Sequence, residues 1–120
     1  MQSDFRIETH TAGRVTTLAL RGELDLVSSP ALDRTVAELT HSDAQLIVID
    51  LRGLEFMDST GLHVLVQAQQ QAHDTGRRLV LIRGREQVQR LFDLTGLADA
   101  LAIVDSPEQL PEFDQAHGAT

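Results

Sequence analysis

The chain has 120 residues, 42% of them hydrophobic and 23% charged, which suits one compact domain with a single core. Ten basic residues against eighteen acidic ones leave a formal charge of −8, which opposes nucleic-acid backbones and anionic membranes. Four Phe with no Trp or Tyr give no stacking platform for single strands, and the absence of cysteine excludes disulfides and thiolate chemistry.

"FRIET" and "RVTTLAL" carry strand-favouring residues on either side of a turn-like "HTAG", so they predict an opening hairpin. "RGELDLVSSP" leaves the second strand and reaches a helix start, with Ser29 as N-cap and Pro30 at the first helical position. Leu32, Val36 and Leu39 then fall on one face of a helix ending near Thr40. "QLIVIDL" is apolar without alternation, as in a strand buried on both faces. A second helix begins at Asp58 or Ser59, turns Leu62, Leu65, Val66, Gln69 and Ala72 to one side, and stops at Gly76.

"RLVLI" is another buried strand. "REQVQRLFDLTG" is a third helix, with Val88, Leu91 and Phe92 inward and Gly96 as its stop. "LAIV" is a short last strand. "SPEQL" opens a fourth helix in which Ser106 and Gln109 have capping-box spacing and Pro111 limits the length. The order predicts a single α/β domain over residues 1–120: a mixed β-sheet with an N-terminal hairpin and parallel crossovers, flanked by about four helices. Residues 113–120 read as a frayed tail.

The start "MQSDFRIETH" has no basic segment leading into an apolar one, and no apolar run approaches the roughly 20 residues of a membrane span. A cytoplasmic protein is the expectation. Arg77, Arg78, Arg83 and Arg85 form one local basic cluster in the sequence.

The junction "MDSTGLH" is the chemically unusual stretch. Asp58 or Ser59 capping the second helix, worth about 1 kcal/mol, is a sufficient reading on spacing alone. Capping uses one side-chain oxygen, however, and leaves the second hydroxyl and Gly61 unexplained; a glycine one turn into a helix permits close approach by another group. Ser59 and His63 are helical neighbours, so a small serine hydrolase is an alternative. The elbow G-x-S-x-G lacks its first glycine here, since Met57 stands in its place.

No phosphate-cradling glycine loop is present. His10, His41, His63, His73 and His117 contain no i,i+3 or i,i+4 pair, so no metal site is expected. Asp25, in "GELD", ends a strand before the first helix. If the second strand lies beside "LIVIDL", Asp25 and Asp58 open at one edge and flank Ser59.

"GELD" at 22–25, "VIDLRGLEFMDSTGL" at 48–62 and "VQRLFDLTGL" at 88–97 resemble the STAS domains, specifically the bacterial anti-sigma-factor antagonists, over nearly the whole chain. The resemblance implies a non-enzymatic switch. The serine after the aspartate, Ser59, would be the phosphoacceptor, with Thr60 as the fallback. Asp25, Asp58, Thr60, Gly61, Leu62 and His63 would flank the partner-binding site.

The implied partners are an anti-sigma factor with serine kinase activity, bound only by the unphosphorylated form, and a serine phosphatase that resets the switch. No cofactor is implied, because the kinase would carry the ATP. Neither nucleic acid nor membrane is an implied partner. A constitutive docking subunit of a transporter or signalling assembly is the alternative within the same fold.

Overall fold

The computed structural model describes residues 4–111. Six strands and three α-helices follow in the order β1 (Arg6–Ala12), β2 (Val15–Leu24), α1 (Ser29–Leu39), β3 (Leu46–Asp50), β4 (Leu54–Met57), α2 (Ser59–Asp74), β5 (Arg78–Ile82), α3 (Glu86–Thr95) and β6 (Ile103–Val104). β1 and β2 form the antiparallel hairpin, with Ala12 opposite Val15 across the turn. Every other pairing is parallel, in the spatial order β1-β2-β3-β5-β6. The sheet is mixed, as the sequence order predicts.

The uninterrupted apolar runs are explained by the two sides of that sheet. Ile47, Ile49, Leu79 and Leu81 join Leu18 and Leu20 in the main core, with Leu32 and Val36 of α1, Leu62 and Leu65 of α2, and Val88 and Phe92 of α3. Their sequence neighbours Leu46, Val48, Val80 and Ile82 form a second buried cluster, against which Val15, Val104 and Leu110 pack. A strand side chain alternates between faces, so only a strand buried on both sides can be apolar at every position. On α2 the buried side also includes Val64 and Ala68, whereas Val66 and Gln69 are half-buried.

Several expectations need correction. Ser28, not Ser29, occupies the cap position of α1, and Ser29 is already helical. β2 runs on through "GEL" to Leu24. β4 was absent from the sequence reading because it is only four residues long and two of them are exposed. It pairs in parallel with β2, through Gly22–Leu54 and Leu24–Met57, and so continues the path of β3 after a break at Arg52 and Gly53.

The expected strand at 101–104 is reduced to Ile103–Val104. The expected fourth helix is a single 3-10 turn, Pro107–Gln109; instead of closing a capping box, Gln109 Oε1 accepts from the Asp105 amide at 2.6 Å. Another 3-10 turn, Leu97–Ala100, follows α3. Helix stops at Gly76 and Gly96 are as expected, with φ of 75° and 72°. The tail expected at 113–120 lies outside the described residues.

The break between β3 and β4 is braced by Asp50, whose carboxylate accepts from Arg52 Nε at 3.0 Å, Arg52 Nη2 at 2.8 Å and the Arg52 amide at 3.0 Å. Burial pushes the Asp50 carboxyl up. The hydrogen bonds from Arg52 and the charges of Arg52 and Arg21 outweigh it and hold the group below its ordinary value. A carboxylate with a depressed folded pKa stabilises the fold above its unfolded pKa, about 3.9, and loses that contribution as pH falls through the folded value. Arg52→Ala is therefore expected to cost at most about 1 kcal/mol at neutral pH. The gap from wild type should narrow below about pH 4 in urea titrations; a gap equal at pH 7 and pH 3 would contradict the assignment.

Candidate functional site

Paired strand ends build the site. Leu24 is the register partner of Met57, so Asp25 and Asp58 leave adjacent strands side by side, and the Asp58 amide donates to the Leu24 carbonyl at 3.2 Å. The edge expected for these two aspartates is the one observed. Asp58 is extended, with φ −102° and ψ −174°, and its Oδ1 accepts from the Gly61 amide at 3.0 Å. The Leu62 amide donates to the Asp58 carbonyl at 3.1 Å, the first helical bond of α2. Asp58 is thus the N-cap, and the choice left open between Asp58 and Ser59 is settled.

Ser59 is the first helical residue and is exposed. Among the described residues its hydroxyl has no hydrogen-bond partner, so capping does not use it. Thr60 is half-buried, Leu62 is 1% exposed and belongs to the core, and His63 is exposed one turn after Ser59. No hydrogen bond joins Ser59 to His63 among the described residues. Gly61 has a structural cause: a Cβ there would lie 2.6 Å from the Leu24 carbonyl oxygen and 2.8 Å from Met57 Cγ. The glycine lets the helix start press against the end of β2.

Asp25 organises the neighbouring loop. Its Oδ1 accepts from the amides of Val27, at 3.0 Å, and Ser28, at 3.1 Å. Ser28 Oγ accepts from the Asp25 amide at 2.9 Å and donates to the Glu23 carbonyl at 2.7 Å. This tight loop holds Leu26 and Val27 out in solvent, 71% and 76% exposed.

An open groove of about 330 Å³ runs between the starts of α1 and α2, with Leu26 and Pro30 on one side and Thr60, His63 and Val64 on the other. The buried Ser29 hydroxyl lines it and lacks a hydrogen-bond partner. Phe56, 49% exposed, stands two residues before the Asp58 cap. Sequence reading missed these apolar groups, although "DLV" directly after a strand was a usable signal, since a turn seldom needs two large aliphatics.

No group of three or more potential metal ligands occurs among the described residues, and no described helix is long and apolar enough to cross a membrane.

A family model described as the STAS domain matches residues 6–110. The anti-sigma-B factor antagonist of Staphylococcus aureus is 27% identical over 105 residues, which span 88% of this chain and 97% of that protein. The anti-sigma factor antagonist SpoIIAA in its unphosphorylated form superimposes with a TM-score of 0.72 at 20% identity, covering 95% of this chain and 96% of that one. The Bacillus cell fate determinant SpoIIAA in the phosphorylated form gives 0.65 at 20% identity, over 87% and 94% of the two chains. These structural likenesses establish the shared fold.

The division of labour within the junction is measurable by unfolding. Asp58→Ala should cost about 1 kcal/mol through loss of the cap, whereas Ser59→Ala should change stability by less than about 0.5 kcal/mol. Gly61→Ala should cost about 1–3 kcal/mol, because Leu24 backbone stands in the way. Equal losses for Asp58→Ala and Ser59→Ala would show that Ser59 shares the capping role.

Proposed function

The chain belongs to the STAS domain family, and from that premise we propose that it is an anti-sigma-factor antagonist switched by phosphate on Ser59. The unphosphorylated form binds an anti-sigma factor that is also a serine kinase and thereby frees a sigma factor. Phosphorylation at Ser59 ends that binding, and a serine phosphatase restores it. The protein is no enzyme: the kinase brings the ATP, and the exchange takes place in the cytoplasm. The observation that carries the reading is the exposed Ser59 hydroxyl at the head of α2, free of partners among the described residues because Asp58 does the capping. The names of the relatives, one of them solved in both phosphorylation states, support it.

Electrostatics supply the mechanism. Phosphate on Ser59 adds about −1.5 to −2 charge and three acceptor oxygens. At a helix N-terminus that charge favours the fold by about 0.3–1 kcal/mol. The partner's position is the reverse: a surface fitted to a small neutral hydroxyl must desolvate a dianion.

Asp58 is adjacent, and Asp25 leaves the neighbouring strand end, so the modified site holds three acidic groups. Leu26, Val27 and the groove between α1 and α2 supply apolar contact area beside the switch. Phosphate therefore blocks docking locally and leaves the fold intact. Thr60, half-buried, is the less accessible acceptor.

With the cognate kinase and ATP, the purified protein should gain one phosphate on Ser59 by mass spectrometry, and Ser59→Ala should gain none and stay bound. Ser59→Asp should lose binding with no fall in melting temperature. Wild-type affinity in Ser59→Asp, or a large backbone change on phosphorylation, would overturn the reading.

A further inference from the structure

The two ends of the sheet differ. β6 is only two residues long and is followed closely by the 3-10 turn at Pro107, so it offers little to pair with. β1, at the other end, runs for seven residues, with Ile7 half-buried and every other position exposed. Edge strands are commonly blunted by Pro, Lys, a bulge or a covering segment. The stretch "RIETHTA" has neither Pro nor Lys, and its register with β2 is unbroken from Arg6 to Ala12. The edge is open.

Its outward hydrogen-bonding groups form a defined set. A two-residue turn, Gly13 and Arg14, joins Ala12 to Val15, and the closing residues of such a hairpin exchange both backbone bonds. Alternation then commits the amides and carbonyls of Arg6, Glu8, His10 and Ala12 to β2 and turns those of Ile7, Thr9 and Thr11 outward. The side chains alternate too. Ile7 and Thr9 stand opposite Leu20 and Leu18, on the side of the sheet that the helices cover, whereas Glu8 and His10 occupy the other side.

This edge is complementary to itself. Antiparallel pairing of two copies about Thr9 sets Thr9 against Thr9, Ile7 against Thr11 and Glu8 against His10, the last two twice by symmetry. Every outward-facing residue then meets an outward-facing partner and exchanges both bonds with it. Moving the axis to Glu8 or His10 loses one of those pairs, and at Glu8 it also sets that carboxylate against its own copy. An axis between residues would match outward groups with committed ones.

Side-chain chemistry selects the same register. The His10 imidazole meets the Glu8 carboxylate, Arg6 falls opposite Ala12, and the two Thr9 hydroxyls meet each other. Glu8 is already paired with Arg21 at 3.2 Å, which offsets its charge beside the second copy. Beyond the ladder, exposed Asp4 lies in line with exposed Arg14 in the turn of the other copy.

We propose that the chain forms a weak two-fold dimer by antiparallel pairing of β1 with β1, which joins two sheets into one. The small area of one strand pair and the repulsion between two copies at −8 keep the dimer transient. The interface uses no residue of the serine site and does not rest on the switch.

Sedimentation equilibrium of the full chain at rising concentration, paired with backbone amide exchange by NMR, tests this. A monomer–dimer equilibrium should appear with Kd on the order of micromolar to millimolar. The amides of Ile7, Thr9 and Thr11 should gain protection as concentration rises, while those of Glu8 and His10 are protected throughout. Thr9→Pro removes an amide that β2 does not use, so it should fold and weaken the dimer by about tenfold or more. His10→Glu sets a carboxylate against Glu8 twice and should weaken it by about fivefold, whereas His10→Lys should tighten it. His10→Glu decides the matter should Thr9→Pro unfold. A single monomeric species throughout, a dimer that leaves the three outward amides unprotected, or wild-type dimerisation in either folded weakening variant would refute the proposal.

Discussion

The pairing of Leu24 with Met57 is the constraint on which the site depends. A parallel pair that ends in register delivers the next two residues, Asp25 and Asp58, to one edge at one height. The Asp58 amide closes that edge on the Leu24 carbonyl, and Gly61 then lets α2 descend onto the same strand end. A larger side chain at Gly61 would lift the helix start and carry Ser59 away from the loop of Leu26 and Val27. The position of one hydroxyl is thus set by a strand register, a cap and a glycine, none of which belongs to the serine itself.

The cap and the exposed hydroxyl belong to different residues, and this separation has a physical benefit for the proposed switch. Were Ser59 the N-cap, its hydroxyl would be occupied by a backbone amide, and modifying it would disturb the first turn. Asp58 performs that task with a carboxylate already suited to the positive end of the helix. The serine is left with solvent on one side and core-bound Leu62 beneath the next positions. Chemistry at the surface need not propagate inward.

Much of this was legible from residue order. "LIVID" and "RLVLI" could be read as strands buried on both faces because no position among their central residues is polar. Asp58 and Ser59 marked a helix start because a short side chain carrying an oxygen is what caps the free amides of a first turn. β4 was not legible: Leu54, Glu55, Phe56 and Met57 show no alternation, and its partner β2 had already been assigned a neighbour in β3. That two strands in turn pair with one long strand is a fact of topology rather than of local pattern.

The assignment of the α1 cap to Ser29 also failed locally: Ser28 takes that position with its hydroxyl bonded across the loop to Glu23 and Asp25, and no side chain caps the helix. Similarly, Arg77, Arg78, Arg83 and Arg85 look like one basic cluster in sequence, yet the fold scatters them. Arg77 donates to the carbonyls of Ala44 and Ser42, and Arg83 pairs with Asp105. Only Arg85 turns toward Arg21 and Arg52.

A protein of −8 charge that changed partner, as proposed, by gaining about two more negative charges could not rely on net field, because the fractional change is small and is screened beyond about 8 Å at physiological ionic strength. Discrimination must come from contact. That requirement fits the placing of the proposed acceptor beside exposed aliphatics: Leu26 and Val27 would demand a close, dry partner surface, and a dry surface is where a dianion is most costly. A polar, hydrated interface around Ser59 would tolerate phosphate with bridging water and would switch weakly. On the proposed reading, the apolar loop is therefore what converts a local charge into a change of partner.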